Sequence, residues 1–318
     1  MTTAISAVLP VHDEAPNLES LHRELVAALE RLGRSFEIVY VDDGSTDGSG
    51  ELLERFSADP RVKVVRLARN FGQTAALVAG FDHARGDIIV TLDADGQNDP
   101  GEIPQLLEAL DRGFDVAVGW RWPRHDPFWT RRLPSMVANW LISHITGVRL
   151  HDYGCTLKAM RRELVSDLRL YGEMHRFIPA LLGDLGATIC EVRVRHRPRR
   201  AGRSKYGLSR IWKVLLDLVA VKFLIDYSTR PIQVFGSVGL VSSGAGLALT
   251  GYLGFQRLVL GIPLANRPLV WLGILLTVVG FQFVTMGLLG ELLVRTYHES
   301  QGKRIYRLLR RRPSTDSR

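Results

Sequence analysis

The sequence predicts an α/β domain with a parallel sheet, followed by two helices that cross a membrane. Through residues 1–120, short apolar runs alternate with segments of helical periodicity, which is the pattern of strands joined by crossover helices. Two later runs, 232–256 and 268–290, contain no charged residue. Each is longer than the roughly 20 residues that a spanning helix requires. The two parts of the chain are therefore expected to fold in different environments.

The predicted domain covers residues 1–204. Its expected strands are the apolar runs Ile5–Val11, Phe36–Val41, Val62–Leu67, Ile88–Leu92 and Asp115–Gly119. Helical spacing of apolar residues predicts helices at Leu18–Leu32 and Gly72–Ala84 between these strands. Beyond Trp120 the pattern is mixed, and it predicts helices at Leu133–Thr146 and Arg161–Leu170.

The later part of the chain, 231–295, is predicted to form a hairpin of two spanning helices, at about 232–256 and 268–292. The alternative is a pair of buried core helices, which seldom run this far without a charge. Basic residues flank the hairpin on its outer sides, so the positive-inside tendency places these flanks and the N-terminal domain in the cytosol. The basic tail 296–318 is expected there too.

The segment 205–230, just before the hairpin, mixes apolar and basic residues at helical spacing. It predicts juxtamembrane amphipathic helices that lie in the membrane interface. A helix that packs against the N-terminal domain is the alternative, and the two interpretations are compatible.

The charge balance indicates an anionic partner. The chain carries a net charge of +8 and has a pI of about 9.8, which suits either a membrane surface or nucleic acid. Its two cysteines, Cys155 and Cys190, form no CxxC pair. A disulfide framework and a cysteine zinc site are therefore not expected, and a reducing compartment fits.

Two acidic clusters follow predicted strands. Asp93 and Asp95 stand one residue apart after the fourth strand, and Asp42 and Asp43 follow the second. Ligands of parallel sheets bind at the carboxyl ends of strands. Mg²⁺ and Mn²⁺ prefer carboxylate oxygens and also take phosphate oxygens, so the first pair predicts a metal site. Asp42 and Asp43 can accept hydrogen bonds from a nucleobase or ribose. Solvated or capped turns are the alternative for both clusters.

The order of motifs along the chain resembles that of a known enzyme family. Family 2 glycosyltransferases of the GT-A fold share the motifs seen here at Pro10–Glu14, Val41–Asp47, Arg69–Gly72 and Asp93–Gln97. The polyprenyl-phosphate glycosyltransferases, such as dolichyl-phosphate mannose synthase and the bactoprenol glucosyltransferases, share those at Asp152–Lys158, Glu173–Pro179 and Arg199–Tyr206. The resemblance covers nearly the whole chain. One departure is His12-Asp13, where a Tyr-Asn pair is common.

This resemblance implies roles for individual residues. The residues expected to bind the nucleotide-sugar donor are Pro10, His12, Glu14, Asp42, Asp43, Asp93 and Gln97. Asp93 and Asp95 would hold Mg²⁺ or Mn²⁺. Asp152 matches the position credited with catalysis, either as a base or as a group that orients the acceptor. A structural acid in a turn is the alternative for Asp152.

A basic motif before the juxtamembrane segment is suited to a lipid phosphate. The residues expected to bind that phosphate are Arg199, Arg203, Ser204, Lys205 and Tyr206, with Arg176 reaching the same group. Guanidinium, ammonium and hydroxyl groups can together present several donors to one phosphate. A generic positive surface or a nucleic-acid patch is the alternative.

The expected function is inverting transfer of a sugar, such as a UDP-linked hexose, from a nucleotide donor to polyprenyl phosphate. The resemblance implies a multi-pass protein of the bacterial inner membrane, with a cytosolic catalytic domain, no nucleic-acid partner and a possible dimer or tetramer. Three alternatives stay open. They are transfer to another lipid or soluble acceptor, a non-catalytic scaffold that binds nucleotide sugar, and a processive synthase, which the missing Gln-x-x-Arg-Trp motif disfavours.

Overall fold

The structure is a computed structural model that forms two compact units, Met1–Val221 and Lys222–Arg318. It describes residues 3–122, 133–197 except 167, 169 and 171, the single positions 218 and 222, and residues 231–264 and 267–301. Most of the predicted juxtamembrane segment, the end of the basic tail, and Arg199, Arg203, Ser204, Lys205 and Tyr206 lie outside the described residues.

A seven-stranded sheet forms the centre of the first unit. Its strands are β1 (Ile5–Val11), β2 (Phe36–Asp42), β3 (Val62–Arg66), β4 (Ile88–Thr91), β5 (Val116–Arg121), β6 (Lys158–Arg161) and β7 (Ile189–Val194). Their order is β3-β2-β1-β4-β6-β5-β7. The five predicted strands are present, within a few residues of their expected bounds.

The sheet is not entirely parallel, and this corrects the sequence-based expectation. Strand β6 is antiparallel to both of its neighbours, β4 and β5, whereas the other pairs are parallel. The chain leaves β5 at the carboxyl edge of the sheet and enters β6 at the same edge. No crossover to the opposite edge is needed, so β6 runs in the reverse direction.

Helices cover both faces of the sheet. The helices that follow the first four strands are α1 (Ala15–Glu30), α2 (Ser49–Phe56), α3 (Gln73–His83) and α4 (Ile103–Asp111). Leucines of α1 and α4 pack with alternate residues of β1, such as Ala7 and Leu9, in the main core. On the other face, Gly80 of α3 lies directly against Val8. The inner strands, such as β1 and β4, are therefore buried on both faces, as their apolar sequences predict.

The other helices that the structure describes in this unit lie after β5 in the chain. They are α5 (Leu133–Thr146), α6 (Arg162–Val165) and α7 (Ile178–Asp184), with 3₁₀ turns at Pro100–Glu102 and Met174–Phe177. Helix α5 has its predicted bounds. The helix predicted at Arg161–Leu170 is confined to the single turn α6, because Arg161 pairs with Ile88 in the sheet instead.

The second unit contains two long helices, α8 (Pro231–Leu260) and α9 (Pro268–Gln301). Ile232–Leu260 and Pro268–Leu293 are long and apolar enough to cross a membrane, and most of their residues are exposed. Exposure of large apolar side chains such as Leu258 and Trp271 does not fit helices of a buried core.

Glycines allow α8 and α9 to pack closely. A Cβ atom on Gly239 would lie 2.6 Å from the Gly280 carbonyl oxygen. A Cβ atom on Gly246 would lie 2.6 Å from the Thr277 nitrogen and 2.7 Å from the Gly273 carbonyl oxygen. Both contacts involve backbone atoms, which cannot turn aside. Small residues therefore set the distance between the two helices, as is common in membranes.

We expect Gly246→Ala to destabilise the hairpin by about 1–3 kcal/mol, because the added methyl group forces the helices apart. Gly244→Ala is the matched control, since no atom lies within 4 Å of its added Cβ. Unfolding of the full chain in detergent, followed by circular dichroism, measures both. Equal midpoints for the two variants would contradict the packing role of Gly246.

Candidate active site

Most of the predicted site residues that the structure describes converge on the carboxyl edge of the sheet. Strands β2, β1 and β4 are neighbours and parallel, with Val11 opposite Asp42 and Val8 opposite Thr91. The ends of these three strands and the segments that follow them carry the predicted donor-binding residues Pro10, His12, Glu14, Asp42, Asp43, Asp93 and Gln97. Because β6 is antiparallel, Lys158 pairs with Thr91 and the loop that holds Asp152 reaches the same edge.

The turns after β1 and β2 are locked together by hydrogen bonds. The Asp13 carboxylate accepts from the Thr46 nitrogen at 2.8 Å, and the Asp13 nitrogen donates to the Ser45 hydroxyl at 3.1 Å. Asp13 has φ of 54°, which is rare for a residue other than glycine. Such strain persists only where the surroundings impose it. His12 and Glu14 flank this residue, so their backbone positions are fixed by the same contacts.

The two acids after β2 have different surroundings. Both oxygens of Asp43 accept backbone N–H groups, from Phe71 at 2.7 Å and from Gly72 at 2.9 Å. Asp43 therefore anchors the loop that precedes α3. Asp42 accepts from the Ser45 nitrogen at 2.9 Å and lines a polar cavity with Arg66. Of the two acids after β2, Asp42 has the geometry better suited to contact a ligand.

Asp93 and Asp95 follow β4 as predicted. Asp93 accepts from the Gln73 side-chain amide at 2.6 Å, and Asp95 accepts from the Gln97 nitrogen at 3.0 Å. Burial raises the pKa of Asp93 above its usual range, and the charge of Asp95 raises it further. In the described part of the chain, no third histidine, cysteine or acid joins this pair. Two half-buried carboxylates one residue apart fit a hard cation that also takes diphosphate oxygens.

Asp152 is fixed by a buried ion pair that the sequence did not reveal. Its carboxylate is 1% exposed. Arg121 donates to it twice, with Nε 2.6 Å from Oδ2 and Nη2 2.8 Å from Oδ1. The Gly154 nitrogen also donates to Oδ1, at 3.2 Å. The position of Arg121 at the end of a predicted strand was the available signal. The catalytic role of Asp152 stays a prediction.

Lys158 is a second residue of the site that sequence reasoning missed. It is 3% exposed and lies on β6 opposite Thr91 and Val118. Burial lowers its pKa, whereas the nearby Asp93 and Asp152 raise it. It lines a cavity together with Pro10, Gln73, Leu77, Thr91, Leu92, Asp93, Thr156, His175 and Ile178. Its place at the end of the Asp152–Lys158 motif was the signal that could have identified it.

His175 faces the same cavity and is uncharged. Its Nδ1 atom lies 2.8 Å from the Thr74 hydroxyl of α3. Burial lowers the pKa of His175 to about 3, and the charges of Arg176 and Lys158 lower it further. The imidazole therefore contributes hydrogen bonding to the cavity but no charge near neutral pH.

The segment after β7 is tied to the loop that carries the acid pair. Arg195 pairs with Glu102 at 2.8 Å, and Arg197 pairs with Asp99 at 2.8 Å and also with Glu24. The Arg197 nitrogen donates to the Gln97 carbonyl at 3.0 Å. The chain therefore enters the predicted phosphate-binding motif from a point beside the acid pair.

Arg176 is the one predicted phosphate-binding residue within the described ranges. It lies in the 3₁₀ turn Met174–Phe177, with Nη2 3.7 Å from a Glu173 carboxylate oxygen. Its side chain is 17% exposed. Its role, like those of Arg199, Arg203, Ser204, Lys205 and Tyr206, stays a prediction.

Comparison with known proteins identifies the family. Residues 6–169 match the family described as glycosyl transferase family 2. The chain is 41% identical over 307 residues to dodecaprenyl-phosphate galacturonate synthase of Rhizobium johnstonii, covering 95% of this chain and 91% of that relative. It is 40% identical over 305 residues to undecaprenyl-phosphate 4-deoxy-4-formamido-L-arabinose transferase of Edwardsiella ictaluri, covering 95% and 92%.

The fold is shared with a solved enzyme. Glucosyl-3-phosphoglycerate synthase of Mycobacterium tuberculosis, in a complex with Mn²⁺, UDP and glucosyl-3-phosphoglycerate, superposes with a TM-score of 0.54 at 20% identity. The superposition covers 70% of this chain and 80% of that one. This likeness confirms the predicted GT-A fold. Together with the family match and the two close relatives, it shows that the chain is a glycosyltransferase and belongs to glycosyl transferase family 2.

Proposed function

We propose that the enzyme transfers a sugar from a nucleoside diphosphate donor to polyprenyl phosphate at a membrane surface. The observation that carries this proposal is the convergence at one sheet edge of the acid pair and the start of the basic segment. A divalent cation bound at Asp93 and Asp95 would hold the donor diphosphate. The basic segment that leaves Arg197 would hold the acceptor phosphate. Both relatives are named for a polyprenyl-phosphate product, which supports the same acceptor.

The reaction we propose is a direct displacement. An oxygen of the acceptor phosphate forms a bond to the anomeric carbon, and the bond from that carbon to the donor diphosphate breaks. The acceptor oxygen attacks the face opposite the leaving group, so the configuration inverts, and the nucleoside diphosphate leaves with the bonding electron pair. A phosphate monoester is already anionic near neutral pH and needs orientation more than deprotonation. Asp152, with both oxygens bonded to Arg121, suits an orienting role better than that of a base.

The donor is proposed to be a UDP-sugar, and the cation Mg²⁺ or Mn²⁺. When bound, the cation neutralises charge on the departing diphosphate. The chain's own residues do the positioning. Gln73 orients the Asp93 carboxylate, and the Gln97 backbone orients Asp95. The fold neighbour that binds UDP and Mn²⁺ supports both assignments.

Membrane anchoring is proposed to come from α8 and α9, with the catalytic domain on the cytosolic face of a bacterial inner membrane. The apolar spans 232–260 and 268–293 support this location. A further feature of the catalytic domain supports it. Helix α5 exposes Met136, Val137 and Trp140, which are 53%, 56% and 65% exposed. Such a patch suits contact with lipid.

Transfer to lipid is tested directly with the purified full chain, undecaprenyl phosphate, Mn²⁺ and radiolabelled UDP-sugars. We expect label to become extractable into organic solvent, and Asp95→Asn to lower this transfer on the order of 10²–10³-fold. The exposed Asp82→Asn on α3 is the control and should retain wild-type activity. Label that enters only water-soluble products would contradict a lipid acceptor. Wild-type turnover by Asp95→Asn would contradict the metal site.

Metal affinity is expected to depend on pH. Burial raises the pKa of Asp93 to about 7, and a cation binds the ionised carboxylate. Below that pKa the cation must displace a proton, so Mn²⁺ affinity should fall on the order of tenfold per pH unit. Above it the affinity should level off. Calorimetry of Mn²⁺ binding at pH values below and above this pKa tests the prediction. An affinity that stays constant or rises toward acid pH would contradict it.

The Arg121–Asp152 pair gives a stability prediction. Arg121→Gln removes the guanidinium that donates twice to the buried Asp152 carboxylate, so we expect a loss of about 3–5 kcal/mol and of sugar transfer. Arg34→Gln is the matched control, because Arg34 pairs with Asp111 at 2.7 Å on the surface. That change should cost less than about 1 kcal/mol. Denaturant unfolding measures the loss of stability in both variants. Similar losses would show that the buried Arg121–Asp152 pair contributes no more than a surface pair.

A further inference from the structure

The cavity beside Asp93 has a volume of about 10 Å³, which is room for one oxygen-sized group of the donor sugar. Asp93 belongs to the acid pair proposed to hold the donor diphosphate, and the sugar is bonded directly to that diphosphate. A cavity lined by Asp93 therefore lies where a sugar substituent can reach it. Besides Asp93, the polar groups that line it come from five elements: Gln73 of α3, Thr91 of β4, Thr156 in the loop before β6, Lys158 of β6 and His175 of the 3₁₀ turn.

Lys158 gives this cavity a group that can only donate hydrogen bonds. An ammonium group has three N–H donors and no acceptor. No hydrogen bond joins the Lys158 ammonium to another residue in the part of the chain that the structure describes. Because the Lys158 ammonium lines the cavity, a ligand atom that accepts a hydrogen bond is favoured at this position.

The charges around the cavity point the same way. Arg121 already neutralises Asp152 through two short hydrogen bonds. Among the lining residues that the structure describes, Asp93 is the only acid, and the proposed cation would neutralise it. His175 carries no charge near neutral pH. An ammonium group on the sugar would therefore meet the like charge of Lys158 without a compensating carboxylate.

We propose that Lys158 recognises a carboxylate or acyl oxygen on the donor sugar, and so determines which sugars the enzyme uses. The inference rests on the proposed function, whose donor it narrows to sugars with an acidic or N-acyl substituent. The relatives are named for galacturonate, which has a carboxylate, and for 4-deoxy-4-formamido-L-arabinose, whose nitrogen carries a formyl group. Both substituents present a carbonyl oxygen, and neither is cationic.

The test compares two matched pairs of donors with the full chain, Mn²⁺ and undecaprenyl phosphate. The first pair is UDP-galacturonate and UDP-galactose. The second is UDP-4-deoxy-4-formamido-L-arabinose and the same sugar with a free amine. In each pair that is turned over, we expect kcat/KM of the carbonyl-bearing member to be higher by about tenfold or more.

Lys158→Met should reduce this preference to within about threefold, because the recognising ammonium is gone. Lys63→Met is the matched control: Lys63 is also a strand lysine, on β3, and its removal should leave the preference intact. Lys158→Arg keeps the charge and should keep part of the preference. Mn²⁺ affinity and the unfolding midpoint of each variant distinguish loss of recognition from loss of structure.

The inference would be overturned if the wild-type protein used both members of a pair equally, or if it preferred the neutral or amine member. This test does not depend on whether Lys158→Met folds. An equal loss of both members in a folded Lys158→Met protein would also overturn it, because Lys158 would then act on Asp93 or on the fold. Absence of transfer to lipid from every donor would overturn the proposed function itself, and the inference with it.

Discussion

The direction of β6 is the constraint on which the site depends. Because this strand runs antiparallel to β4, Lys158 lies opposite Thr91, two residues before Asp93. The loop that enters β6 therefore carries Asp152 and Thr156 to the edge at which the parallel strands end. Had β6 followed by a crossover, the same residues would lie at the opposite edge of the sheet. The reversed direction of β6 thus brings residues from the second half of the domain to the edge where β1, β2 and β4 end.

The reversal also places charges of both signs inside the domain. Asp152 and Lys158 are almost fully buried, and Arg121 and Asp93 interact with them. Their formal charges cancel when all four are ionised. Buried charges are tolerated only when they are paired. The cation proposed at Asp93 would alter this balance and attract the negative charge of a diphosphate. Binding of the donor diphosphate would therefore depend on the charges of these four buried residues.

Local sequence patterns predicted much of this arrangement, and the rest depends on contacts between residues that are distant in the chain. The parallel strands are continuous apolar runs, and the acid pair follows one of them directly, so both could be predicted. Strand β6 is only four residues long, includes Lys158 and Arg161, and resembles no strand by itself. The Arg121–Asp152 pair joins residues far apart in the chain, which no periodicity reports. The roles of the basic motif 199–206 still rest on resemblance.

The ion pairs of Arg195 and Arg197 have a consequence for where this domain can be divided. The family match ends at residue 169, before β7 begins. A fragment cut there would lose the edge strand beside β5, and Glu24, Asp99 and Glu102 would lose their cationic partners. Those three acids support the segment that follows the acid pair. The smallest piece that keeps the catalytic edge intact therefore extends past Arg197, well beyond the boundary that sequence similarity alone would suggest.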